Sequence, residues 1–500
     1  LKVLLQANLM MKSYKSIHVF YFTLAVFSIL AAVSFFTPKE GFDIAGMKIR
    51  FLSWNKAISP KPKKAKDITK FIQKVDTSMQ EKVPVDSLKK HDNKGGNLGQ
   101  PSGGQLIKES ATQIYLAESG LSKFHEFFKK LDEIAKSNKK LRIIHYGDSQ
   151  IEGDRMTAYI RQRIQEQFGG VGPGLVPTVN VYNTQSFKQT YSPNFTRYTV
   201  FGGAKLKSKR YGAMGSAGRF TPEYMDSSER ASRTVVNEGW IEIEPSKAAY
   251  TRSRTYNQVK LFYTSCFTAC AIKVFQNGNL IHEDSLVQDG KYHVLPLSFD
   301  ASAGKLRYEF KSTVSPTILG FSLEGDVGVQ VDNIAMRGSS GTFFGKLDQQ
   351  LLGKMYQDLN VELVIMQFGG NSVPFLKDSS AARNYAKQFK GQLQALKRIR
   401  PSAMILVIGP SDMARYYEGA YESYPYLPVL VRAMKKATLE VGGGYWDLFE
   451  AMGGLNSMPS WVERGLAGKD YIHFSPRGAS IASQLFYEAF AAEYAKWKVP

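Results

Sequence analysis

Apolar residues fall along this chain in several distinct rhythms. The first is an unbroken run, Ile17 to Phe36 (IHVFYFTLAVFSILAAVSFF), with no acidic or basic residue other than His18 and with Lys12 and Lys15 before it. About 20 apolar residues suffice to cross a bilayer, and preceding positive charge orients such a segment. The run reads as an export signal, either an uncleaved anchor or a signal peptide whose cleavage would release the protein; the anchor is favoured because the run continues to Phe35-Phe36 without a small-x-small exit. From Pro38 to about residue 110 the rhythm stops. Lys, Pro, Gly, Ser and Asp dominate, as in Pro60-Lys-Pro-Lys-Lys64, and the composition predicts a flexible tether.

Order resumes near Leu116. Leu121, Phe124, Phe127, Phe128, Leu131 and Ile134 recur at helical spacing. Leu141 to Tyr146 (LRIIHY) reads as a strand ending in Gly147-Asp-Ser149, and Met156 to Phe168 as a helix stopped by Gly169-Gly170. Residues 111–176 thus open an α/β domain. Between about 177 and 330 short aromatic and β-branched runs take over: Trp240 to Glu244, Val259 to Tyr263, Ala271 to Phe275 and Lys305 to Phe310. Gln276-Asn-Gly-Asn279 between two of them is a hairpin turn. This stretch predicts an inserted all-β sandwich. From residue 331 to 500 the alternation returns, with strands at Val331–Met336, Glu362–Phe368, Ala403–Ile408 and Tyr445–Leu448. Helices fall near Leu347–Leu359, Ala381–Arg398, Leu427–Val441 and Pro476–Trp497. The fold class is α/β: a doubly wound parallel sheet with helices on both faces. Its ligands are expected at the carboxyl ends of the strands.

Charge changes this picture little. Net charge is +21, but about half the excess lies before residue 110, with no compact basic motif interleaved with aromatics, so nucleic acid is not an expected partner. Anionic surfaces such as membranes or wall polymers are. Cys266 and Cys270 lack the spacing and the histidine partners of a zinc site. They read either as a pair or as two small buried thiols. Neither metal nor organic cofactor is expected.

Four features fall at strand-end loops or close the fold: Gly147-Asp-Ser149, Gly338-Ser-Ser-Gly341, Gly369-Gly-Asn-Ser372 and Asp470-Tyr-Ile-His473. Each is weak alone, but in this order they describe acyl transfer. Serine needs a neighbouring base, which His473 can be. The imidazole needs its tautomer fixed and its cation stabilised, which Asp470 three residues earlier can do. A developing oxyanion needs donors, which the Ser149 N–H, a glycine N–H of the 338–341 loop and the Asn371 amide can supply. His145, on a buried strand, reads as a core histidine. Glu152 and Asp154 read as solvated carboxylates rather than a glycosidase pair, and the aromatics between Tyr182 and Tyr198 suit a sandwich core as well as a sugar platform.

These residues resemble the SGNH (GDSL-like) hydrolases. Ser149 matches the first block, Gly341 the oxyanion glycine of the second, Asn371 the third, and Asp470 with His473 the fifth. Gly147-Asp-Ser-Gln-Ile-Glu-Gly-Asp-Arg155 and Phe168-Gly-Gly-Val-Gly-Pro-Gly174 are similar, more narrowly, to envelope members that remove O-acetyl groups from peptidoglycan and carry an inserted carbohydrate-binding-like sandwich. The resemblance covers about Leu116 to Pro500. It implies a serine esterase of the cell envelope with Ser149, Asp470 and His473 as triad, an acetylated glycan as partner, and Asp148 as a brace of the nucleophile loop. Two alternatives stand beside it: an esterase for another acetylated polysaccharide or a lipid ester, and a non-catalytic glycan-binding protein on a vestigial hydrolase fold. Two positions depart from the pattern. Gln150 replaces the usual Leu, outside the proton path, and Ser372 replaces the acidic residue that commonly supports the third-block Asn.

Overall fold

The computed structural model describes residues 16–36, 42–44, 47–49 and 113–498. They belong to two compact units, one of Leu1–Lys64 with Arg415–Glu422 and one of Ala65–Ala414 with Ser423–Pro500. In the first, helix α1, Ser16–Phe36, occupies the apolar run, and its side chains are exposed almost throughout, Phe22 at 71% and Phe27 at 66%. The side chains at its ends lie outside the described residues. Among the described residues no helix is long and apolar enough to cross a membrane. Short strands Phe42–Ile44 and Met47–Ile49 pair antiparallel within the stretch expected to be a structureless tether. They are too brief to register as a periodicity, and residues 50–112 of that stretch lie outside the described residues.

The second unit is built on six strands: β1 Ile114–Leu116, β2 Lys140–Gly147, β3 Gly328–Ala335, β4 Val361–Gln367, β5 Met404–Ile408 and β6 Gly444–Trp446. Their order is β3-β2-β4-β5-β6-β1, and every neighbouring pair is parallel except β6 with β1. Such strands are buried on both faces, which is why they read as continuous apolar runs. Successive residues serve opposite layers. Ile143 and Ile365 face helices α2 (Glu118–Ile134), α3 (Thr157–Phe168) and α7 (Pro476–Lys498) through Phe128, Ile160 and Phe486. Ile144 and Val364 face α4 (Gln349–Asp358), α5 (Ser379–Ile399) and α6 (Leu427–Glu440) through Leu352, Phe389 and Leu430. Elements read from the sequence recur within a few residues. The antiparallel edge strand β1 was not foreseen, because three residues carry no alternation signal, and β3 begins at Gly328 rather than Val331.

Between α3 and β3 the chain forms a sandwich. One sheet orders His293–Ser298, Gln258–Thr264, Thr317–Glu324, Ser216–Arg219 and Thr196–Thr199, with Gly174–Val176 also paired to Thr317–Glu324. The other orders Asn279–Ser285, Cys270–Gln276, Leu306–Ser312, Asn237–Pro245 and Phe187–Tyr191. Ile241, Leu261, Val274, Phe310 and Phe321 fill the space between them. The predicted turn is present, with Asn277 at φ 50 and Gly278 at φ 93, the left-handed pair a two-residue hairpin needs.

Sandwich and central sheet are joined by buried charge. Arg142 of β2, 2% exposed, donates through Nη1 to Asp332 Oδ1 of β3 at 2.7 Å and through Nη2 to Glu324 and to Ser322 on the sandwich strand. Glu324 also takes Lys140 at 2.7 Å and Lys260 at 2.9 Å. Asp332 Oδ1 accepts a further N–H from Leu175 at 2.9 Å. Removing one partner of such a cluster leaves charge buried and unmatched. Arg142→Ala should therefore cost about 3–5 kcal/mol in urea unfolding; an unchanged midpoint would show that the cluster contributes nothing net.

Candidate active site

Strand β2 delivers the nucleophile loop. Its last residue, Gly147, lies opposite Ala335 of β3 and Gln367 of β4, and a Cβ there would come within 2.8 Å of Ile151 Cδ1. Asp148 follows, 4% exposed; its Oδ1 accepts the Gln150 N–H at 3.0 Å and its Oδ2 accepts from Asn371 Nδ2 at 3.3 Å. Ser149 then begins a 3₁₀ turn, Ser149–Asp154. Its Oγ lies 2.8 Å from His473 Nε2, and His473 Nδ1 lies 2.7 Å from Asp470 Oδ2. Asp470 Oδ1 also accepts the N–H groups of Ile472 at 3.0 Å and His473 at 3.1 Å. Burial raises the Asp470 carboxyl, but the hydrogen bonds from His473 and Ile472 outweigh it and hold the group below its ordinary range. The loop keeps its shape at a cost: Tyr471 sits at φ 57, where a non-glycine residue is strained.

Ser149, Gly338, Asn371 and His473 line one cavity of about 600 Å³. The N–H groups of Ser149 and Gly338 have no acceptor among the described residues. Gly341, which the resemblance placed at the oxyanion position, does not line this cavity. Its N–H is engaged by Ser339 Oγ at 3.2 Å, and its left-handed backbone (φ 75) lies so close to Phe368 that a Cβ would approach the ring carbon to 2.7 Å. Gly338 (φ 78), with open space beside it, is the glycine of that loop that faces the cavity. Asn371 Nδ2 donates to Ser339 O at 3.0 Å as well as to Asp148. Ser372 turns away, donating through Oγ to Gly369 O at 2.7 Å. The carboxylate that Ser372 does not supply to Asn371 is supplied by Asp148.

Gln150 lies off the proton path, yet it clamps the histidine loop. Its Nε2 donates to Ile472 O at 2.7 Å and its Oε1 accepts the Phe474 N–H at 3.4 Å, on either side of His473. Its departure from the usual Leu was the available signal. The other carboxylates are ion-paired: Glu152 with Arg337 at 2.5 Å through both oxygens, and Asp154 with Arg161 at 2.6 Å. Neither is the solvated group expected from sequence, and neither is arranged as an acid/base pair. His145 is fully buried between Thr157 Oγ1 (3.0 Å) and Gln367 Oε1 (3.1 Å), and burial pulls it down to about 3, so it stays a neutral core residue. Phe187 and Phe195 belong to the sandwich core, while Tyr182 lies under the Arg337 guanidinium at 5.1 Å. Cys266 and Cys270 are free and buried, and burial pushes the Cys266 thiol up to about 11.

No family model matches the sequence, and no curated protein matches it. A solved structure described as "Peptidoglycan O-acetylesterase in action, 5 min" aligns over 77% of this chain and 99% of its own, with 19% identity and a TM-score of 0.59. Fold is what the two share: the doubly wound sheet, helices on both faces and added antiparallel sheets. Two family two carbohydrate esterases align more loosely. The one from Clostridium thermocellum, in complex with cellohexaose, has 13% identity over 49% of this chain and 91% of its own, with a TM-score of 0.21. The one from Cellvibrio japonicus has 9% identity over 62% and 99%, with a TM-score of 0.23.

Two measurements probe the site itself. Gln150→Leu should slow covalent labelling of Ser149 by an organophosphonate about tenfold, since a loosened histidine loop misplaces the base; labelling at the original rate would leave Gln150 without a positioning role. Burial pushes Asp148 up to about 6, against the opposing pull of the Gln150 N–H and the His473 charge. Between an unfolded value of about 4 and the folded value, the native state holds a proton that the unfolded chain has released. Stability from this group therefore falls as pH rises through that window, by about 3 kcal/mol. Asp148→Asn should lack that slope, so that the melting temperature of the unaltered protein falls relative to that of the variant as pH rises from about 4 to about 6; a constant difference between the two would contradict the assignment.

Proposed function

We propose that the protein is a serine esterase that removes O-acetyl groups from an envelope glycan, peptidoglycan above all, through an acyl-Ser149 intermediate. One observation carries this: the continuous path from Ser149 Oγ through His473 to Asp470, with links of 2.8 and 2.7 Å, opening into a cavity of about 600 Å³. As Ser149 Oγ attacks the acetyl carbonyl carbon, its proton passes to His473 Nε2. The imidazolium is stabilised by Asp470, already engaged at Nδ1. Negative charge developing on the carbonyl oxygen falls to the uncommitted N–H groups of Ser149 and Gly338 and to Asn371, whose longer bond to Asp148 is the one exchanged. Collapse expels the sugar hydroxyl, which takes the proton from His473. Water, giving its proton to the same nitrogen, attacks the acetyl-serine, and acetate leaves as Ser149 recovers the proton.

The open cavity supports a small acyl group on a bulky alcohol, and Phe375 on the Asn371 loop, 78% exposed, offers a ring face to a sugar. Likeness in fold to a peptidoglycan O-acetylesterase supports the same substrate here. The apolar run behind Lys12 and Lys15 supports export to the envelope, where such glycans lie.

With the full chain and para-nitrophenyl acetate, Ser149→Ala should lose about a thousandfold or more in kcat. Equal turnover by the two proteins would remove the esterase reading. Acetate released from O-acetylated peptidoglycan should exceed that from acetylated xylan; the reverse order would move the substrate to another polysaccharide.

A further inference from the structure

The charged groups lining the catalytic cavity are matched, with one exception. The Asp148 carboxylate accepts from Gln150 and Asn371. Glu152 and Arg337 hold each other through both carboxylate oxygens. His473 is held by Asp470. Arg155 lines the same cavity, and its Nε donates to the Glu152 carbonyl at 2.9 Å, across the turn that Arg155 closes in a right-handed helical conformation (φ −62, ψ −26). That bond fixes the plane of the guanidinium. Its terminal nitrogens have no acceptor, carboxylate or otherwise, among the described residues. The buried arginines differ: Arg142 and Arg161 pair with carboxylates, and the terminal nitrogens of Arg219 donate to Thr317 Oγ1 and Pro222 O.

We infer that Arg155 is an anion-recognition residue and that the esters accepted by this cavity sit on glycans bearing a carboxylate near the acetyl group; this rests on the esterase reading above. A half-buried guanidinium with its plane fixed presents paired N–H donors to a carboxylate with little orientational entropy left to lose. Glu152 cannot quench it, because Arg337 occupies both of its oxygens. Arg337 in turn is stacked over Tyr182, so the cationic wall has two members, one neutralised and one free. Phe375 on the Asn371 loop supplies the sugar-facing ring. Together they read a sugar and its acid.

The test uses O-acetylated muramyl glycan strands with the stem peptides removed, so that the lactyl carboxylates are free, and the same strands with those carboxylates capped as methylamides. The unaltered protein should favour the charged strands by about tenfold or more in kcat/KM. Arg155→Gln should bring that ratio close to one, and Arg155→Lys should restore part of it. Added salt should raise KM for the charged strands and leave the capped ones unmoved. If Arg155→Gln does not fold, by circular dichroism, the salt response and the charged-to-capped ratio of the unaltered protein decide. A ratio near one in the unaltered protein, with both strands deacetylated, overturns this inference and leaves the esterase standing. A ratio in Arg155→Gln matching that of the unaltered protein overturns it too. Acetate from neither strand overturns it together with the glycan reading, whatever para-nitrophenyl acetate shows.

Discussion

Three adjacent parallel strands stop at one level, and the site exists because they do. Gly147, Ala335 and Gln367 are register partners across β3-β2-β4, so the loops that follow leave the sheet side by side. One brings Ser149, the next Gly338, the third Asn371. Parallel pairing fixes this spacing through the backbone alone, and a slip of one residue would turn every side chain of a strand to the opposite layer. Because β2 and β4 are chain-distant yet adjacent, the crossovers diverge around them and leave a crevice at their carboxyl ends. The histidine loop is then carried in from the far end of the chain and pinned across that crevice by Gln150.

Much of this was legible beforehand, and what was not has identifiable causes. Buried parallel strands announce themselves as apolar runs, and the helices between them as three- and four-residue recurrences, so the succession from β2 to α7 could be read directly. That Ser149, Asn371, Asp470 and His473 would be brought together could be read as well, because each stands at a strand end or closes the fold. Gly341 was misplaced because two glycines three residues apart are equivalent in sequence, and only the contact with Phe368 and the bond to Ser339 separate them. Gln150 was undervalued for a related reason: a side-chain amide bridging to Ile472 and Phe474 involves a sequence separation of over three hundred residues, which no local pattern encodes. The strand Thr317–Glu324 also escaped notice. Its residues are buried throughout, and with Gly320 and Ser322 inside, its apolar character is broken.

The site trades stability for geometry in two places. Asp148 is a carboxylate taken out of water, raised by burial, and it is retained where it orders both the Ser149 turn and the Asn371 amide. Tyr471 holds a backbone conformation that glycine would adopt without strain, in the turn that sets Asp470 beneath His473. Both choices raise the energy of the native state locally, and the packed helices on either face of the sheet carry that load.

The buried cluster around Arg142 bears on how the molecule could have been assembled over time. An inserted domain is usually pictured as a cassette, spliced into a surface loop and equally able to leave. Here the inserted sandwich contributes Glu324 and Lys260 to the ionic balance of strands β2 and β3, so excising it would leave Lys140 without its carboxylate and Arg142 with Asp332 as its one acidic partner. The two architectures are thereby bound to one another's history: neither can be lost, exchanged or recombined without rewriting residues of the other, and they should be inherited, and should unfold, as one body.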